Sequence, residues 1–272
     1  MRPGRSDIAA PDLPPQIEWV GQRPAPMLRL AGHGPVLVHF FDFAQLNSVR
    51  ALPYVREWHR RYANEGLSVV GVQAPRFAFG SDPAAVRRGL ERLAVEHPVA
   101  IDAEREMWLD YGCEGWPSLF LWGRGGVLRW YQFGEGEYAA TEEAIQQELR
   151  ESDALRTLPA PMQPLRPTDE PGAAVIAPTP EFFPAGEGNS LPAHKGGGIE
   201  LGYEGGGAYV TAEGAGTLIA VVGDRPESQI EVDGAALYEL ATHPRHEAHR
   251  LRLELAEGEA WIWSISFAPG VP

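Results

Sequence analysis

The chain has 272 residues, long enough for two ordinary domains each with its own core. Its hydrophobic share of 44% and charged share of 22% are those of a globular protein, and a formal charge of −14 repels phosphate backbones and anionic bilayers. Nucleic acid and membrane surfaces are therefore excluded as expected partners, and one cysteine, Cys113, excludes an intramolecular disulfide, a CxxC pair and a multi-cysteine metal site.

The first fifteen residues carry Arg2 and Arg5 but no apolar stretch resembling a cleavable leader, so a cytoplasmic address is expected. From Pro35 the run Val-Leu-Val-His-Phe-Phe-Asp-Phe reads as a short buried strand, β-branched and aromatic and flanked by Gly34. Leu46, Val49, Leu52, Val55, Trp58 and Tyr62 then recur at helical spacing, with Pro53 expected to kink the early turns. Leu67 to Val72 reads as a second buried strand after Gly66. Ser81-Asp82-Pro83 looks like a helix cap with proline at the first position, opening a helix to Ala94.

Pro98–Ile101 is read as a strand, Ala103–Tyr111 as a short helix and Ser118–Trp122 as another strand. Gly123 to Gly126 forms a hairpin-type turn into Val127–Phe133, and Thr141 caps a closing amphipathic helix. This alternation predicts an α/β domain over residues 16–151, a mixed sheet with helices on both faces. Residues 152–197 are so rich in proline that they read as an extended linker. Short alternating segments between Gly and Asp turns over 198–272 predict an all-β sandwich.

The segment Val36 to Val55 resembles the active-site strand and helix of the TlpA/DipZ-type redoxins of the thioredoxin superfamily, which typically read V-L-V-D-F-W-T-Y-x-C-x-N-C-x-R-x-L-P-Y. Asn47, Arg50, Leu52, Pro53 and Tyr54 match. Tyr111 to Pro117 is similar to that family's cis-proline loop, and Phe133-Gly134-Glu135-Gly136 to its turn before the last helix. The resemblance implies a thioredoxin-like fold over about Ile17–Glu151. In the second domain, Gly234 to Leu240 and Ala256 to Trp261 resemble the carbohydrate-binding-module-like β-domain of DipZ-type proteins.

The departures carry the functional expectation. The resemblance places Gln45 at the nucleophilic cysteine and Ser48 at the resolving one, His39 at a buried acid and Phe41 at a tryptophan. Dithiol exchange needs a thiolate at a helix start and a second thiol to resolve the mixed disulfide; an amide and an alcohol supply neither. The expected function is a non-catalytic binding module with no cofactor or metal. Protein, peptide or a small ligand would meet Phe43, Gln45, Ser48, Trp116 and Pro117, because a cis-proline loop offers a backbone edge to an extended peptide.

Two alternatives compete. One is a thiol-dependent oxidoreductase or peroxidase using Cys113, against the plainer reading of a small packing residue. The other is sugar stacking on Trp261 and Trp263, against core packing. His39, inside an apolar strand, is expected to be a hydrogen-bonded core histidine, and Ser48 a structural serine.

Overall fold

The computed structural model describes residues 8–152, 156–195, 197–225 and 227–272. Met1–Asp7 of the expected leader-free N-terminus, and 153–155 and 196 of the expected linker, lie outside the described residues. The chain forms two compact units. One takes in the chain through Phe43, Asn47–Pro75 and Gly80–Leu165; the other comprises Ala44–Leu46, Arg76–Phe79 and Arg166–Pro272.

In the first unit, which holds α2 from Asn47 onward, the elements run β1 (Glu18–Val20), α1 (Met27–His33), β2 (Val36–Phe41), α2 (Leu46–Tyr62), β3 (Ser68–Gln73), α3 (Pro83–Arg92), β4 (Val99–Ile101), α4 (Glu106–Asp110), β5 (Ser118–Trp122), β6 (Leu128–Phe133) and α5 (Tyr138–Ser152). The sheet order is β1-β4-β3-β2-β5-β6. β2, β3 and β4 are mutually parallel, whereas β5, β6 and β1 join antiparallel, so the sheet is mixed.

Strand alternation divides the core. Val36, Val38 and Phe40 of β2 face one layer with Met27 and Ala31 of α1 and Met107 and Trp108 of α4. Leu37 faces the other, with Tyr54, Val55 and Trp58 of α2 and Ile145 and Leu149 of α5. His39 shares that second face by the same period of two. Pro53 lies inside α2, which runs unbroken from Leu46 to Tyr62.

Asp82 is the N-cap of α3, accepting from the N–H groups of Ala84 and Ala85 at 3.0 and 3.3 Å, with Pro83 behind it. Removing this acceptor in Asp82→Ala should cost about 1 kcal/mol, read from urea melts against wild type. Thr141, expected as the cap of α5, instead lies one turn inside it. Its hydroxyl donates to Glu137 O at 2.8 Å and accepts from Trp130 Nε1 at 3.1 Å, because the helix already starts at Tyr138.

Residues 156–165 of the proline-rich segment pack on the first unit. Met162 N donates to Glu142 Oε2 at 2.9 Å and Leu165 N to Tyr54 Oη at 2.7 Å, so proline here accompanies extended chain with fixed partners.

The second unit is all-β: β7 (Leu191–Ala193), β8 (Gly198–Val222), β9 (Ser228–Asp233) and β10 (Ala236–Ala268) form a four-stranded sheet in the order β7-β10-β8-β9. Two strands of 25 and 33 residues take the place of most of the short ones expected, and β9 is short. Hydrogen bonding continues through glycines read as turns: Gly214 and Gly258 have φ of +119° and +76° and sit where a Cβ would strike the facing backbone. Leu251 pairs with both Leu201 and Val222. Tyr203, Val210, Leu218, Tyr238, Leu253 and Ile265 fill the core. No described helix is long and apolar enough to cross a membrane.

Candidate functional site

The loop from β2 into α2 carries the positions singled out by the sequence. Phe43 is 1% exposed, and its ring lies against Gly89 of α3, where a Cβ would collide with it. Its N–H donates to Gln73 Oε1 at 3.0 Å. Phe43, expected among the binding residues, is thus packed against α3 in the core. Gln45 is partly exposed just before α2. Ser48 is fully buried, and its Oγ accepts from the Asp42 N–H at 3.2 Å, a role that caps the strand end.

The second loop approaches from α4 and β5. The Trp116–Pro117 peptide is cis, and Pro117 is buried. Trp116 is half-buried, stacked on Trp108 with centroids 4.3 Å apart, and its Nε1 donates to Ala74 O at 2.8 Å. The indole is thereby held in one orientation beside the end of β3.

Cys113 lies in the same loop, half-buried at the edge of the α1/α4 core layer. Burial pushes its thiol up to about 12, with the Asp102 carboxylate adding in the same direction and a hydrogen bond with Ser118 opposing. Near neutral pH the sulfur is a thiol and a poor nucleophile.

Two motif positions meet across the unit: Arg50 Nε donates to Glu135 Oε2 at 2.7 Å, with both side chains mostly buried. This pair ties α2 to the turn before α5.

The histidines differ from expectation. His39 is completely buried and neither ring nitrogen has a hydrogen-bond partner among the described residues; the ring stacks on Phe41 at 4.9 Å. His97, 2% exposed, is likewise without partners on either nitrogen among the described residues, and its ring meets that of His59 at 5.7 Å. Gly71 opposes His39 in β3 and leaves room for the His97 ring. Burial, and then His97, hold His39 well below the usual imidazole range; burial, His59 and Arg56 bring His97 down to about 3.

In the second unit, Trp263 is 7% exposed and donates to Glu213 Oε1 at 3.1 Å, while Trp261 is 37% exposed. A register shift between Ile262 and Ser264 separates their surroundings, so they do not form one stacking platform. The sequence reading passed over His243, Glu247 and His249. Their donor atoms lie within 4.8 Å of one another. The run His-Pro-Arg-His-Glu-Ala-His was the available signal, but only the β10 register brings these three together.

The parallel β2-β3-β4 core, the antiparallel β5-β6 hairpin, the helix on the end of β2 and the cis-proline before β5 define a thioredoxin-like redoxin fold for the first unit. No family model matches the chain. It is 34% identical over 177 residues to protein DipZ of Mycobacterium bovis, a match covering 64% of this chain and 25% of that protein. It is 25% identical over 125 residues to the thiol-disulfide oxidoreductase YkuV of Bacillus subtilis, covering 46% of this chain and 84% of that one. Among solved structures, a thiol-disulfide isomerase from Corynebacterium glutamicum aligns with a TM-score of 0.45 and 24% identity, over 52% of this chain and 96% of its own.

Proposed function

We propose that the first unit is a redoxin-fold binding module that holds a protein, peptide or small ligand at its cis-proline loop without passing electrons between sulfurs. The observation that carries this reading is the thiol inventory. Cys113 is the chain's one cysteine, it lies outside the β2–α2 loop, and burial holds it protonated. The name of YkuV describes an exchange that needs chemistry these positions lack, and the reading for this chain is binding alone. Trp116, fixed by Trp108 and Ala74 O, supplies the apolar contact beside the backbone edge.

The second unit is, in this reading, a β-sandwich. The double pairing of Leu251 and the register shifts along β10 support it, since bulges let a long strand bend and fold a sheet back on itself. A cytoplasmic setting goes with the reading and keeps Cys113 reduced.

Insulin-reduction and peroxide-consumption assays on wild type and Cys113→Ser test the chemistry. Both proteins should stay at the uncatalysed background, and turnover that depends on Cys113 would overturn the proposal. Selection of disulfide-free peptides on the full chain tests the binding. Binders should be lost with Trp116→Ala, and a selection returning none that depend on Trp116 would sink that half.

A further inference from the structure

His243 and His249 stand on β10 at either end of an irregularity. Thr242 pairs with Gly207 and Glu247 with Gly205, so residues 243–246 are an insertion in the ladder. The insertion folds the two imidazoles onto each other, with centroids 4.1 Å apart. Arg225 Nη2 lies 2.9 Å from His243 Nδ1. A guanidinium only donates, so Nδ1 must be the unprotonated nitrogen, its lone pair aimed at a cation. Nε2 of the neutral ring then carries the proton and donates to Tyr203 Oη at 2.8 Å. The Tyr203 ring is itself fixed by stacking on Phe267 at 4.6 Å.

His249 has the same arrangement. Its Nε2 is 3.0 Å from Glu247 Oε2, and as the carboxylate accepts there, Nδ1 of the neutral ring carries the lone pair, on the side of Gly223. Gly223, at φ +58°, has no side chain to fill the space next to that nitrogen. The cavity beside it is open to solvent between Gly223, Asp224, Arg225 and Ala248. Two imidazoles, the His243 lone pair held by the Arg225 guanidinium and the His249 lone pair facing the cavity, lie beside the Glu247 carboxylate, and together they are the donor set of a metal site.

We propose that His243, Glu247 and His249 bind a first-row divalent metal ion of the zinc class. Imidazole nitrogen favours such ions over Ca2+ and Mg2+, which take oxygen. Donors around tetrahedral zinc sit about 3.3 Å apart, so binding draws the three side chains together and turns the His243 ring. Arg225 is the ion's competitor. It is exposed, on a turn, and among the described residues its guanidinium's other hydrogen bond is to Thr242 O at 3.0 Å, so it can swing into water at little cost. The nearby Arg250 is already paired with Glu200 at 3.0 Å.

The test is calorimetric titration of Zn2+ into the tag-free full chain, with Ca2+ and Mg2+ as comparison ions and circular dichroism confirming the fold of each variant. Wild type should bind one equivalent of Zn2+ and neither comparison ion. His243→Ala and His249→Ala should each weaken binding at least about tenfold. Arg225→Ala, on an exposed turn where folding is not at stake, should tighten it. Absence of Zn2+ binding, affinity indifferent to both histidine changes, or an Arg225→Ala affinity equal to wild type would overturn the assignment.

Discussion

A Gln45→Cys/Ser48→Cys double variant, built on Cys113→Ser, should form an intramolecular disulfide and reduce insulin at least about tenfold faster than the wild-type chain. The scaffold around the two positions is intact. Residue 45 precedes a 17-residue helix whose first N–H groups have no intrahelical acceptor, and that end of the dipole favours a thiolate. Residue 48 lies one turn along on the same helix, its side chain buried and facing the Asp42 N–H. A sulfur there would inherit the serine's donor. Restored exchange would place the loss of redox chemistry in these two side chains. A variant that forms the disulfide yet leaves insulin untouched would place it elsewhere, with His39 and Phe41 as the next positions to convert.

The first unit was legible wherever periodicity and turn chemistry agreed. Val36–Phe41 and Ser118–Trp122 are apolar runs too short for helices, bounded by Gly34 and by the Gly123–Gly126 turn, where Gly125 and Gly126 take positive φ. Asp82-Pro83 signalled a helix start through its side-chain acceptor. β1 and α1 escaped notice for a physical reason. Three residues at a sheet edge and seven in a helix behind Pro26 present too few positions for a period to register. In the second unit, glycine misled. At Gly214 and Gly258 it permits a bulge within a continuing ladder, yet in sequence it looks the same as a turn that ends one.

The site was legible only in its chemistry. That positions 45 and 48 carry an amide and an alcohol in place of thiols is read from residue type alone. The burial of Phe43 under α3 and the convergence of His243, Glu247 and His249 depend on packing and register, which no local pattern encodes. Ser48, whose residue type in a helix's first turn suggested a structural serine, is buried and accepts from the Asp42 N–H. His39 was expected to have found a partner, because most buried polar groups do; its neighbours on the sheet face are instead apolar or, like His97, also unsatisfied.

That pair governs the remaining prediction. Folding stability should fall steeply as pH drops below about 6.5, with His97 alone removing about 2 kcal/mol between pH 7.5 and pH 5. In the unfolded chain each imidazole takes a proton near 6.5. In the folded chain burial holds His97 down to about 3 and His39 well below its ordinary value. Above pH 6.5 neither state carries the protons and their effect is nil. As pH falls through 6.5 only the unfolded state gains them, so the equilibrium shifts toward unfolding until the folded groups titrate in turn. Urea melts at pH 7.5, 6.5, 5.5 and 5.0 read the slope. His97→Asn should flatten it, and a wild-type midpoint that does not move would mean that the two rings are solvated or paired in solution. An acid at position 39, as the redoxin motif carries, would act with the opposite sign. A buried carboxyl with a raised pKa loses stability as pH rises, so exchanging that acid for histidine moves the titration-linked loss of stability from the alkaline to the acidic side.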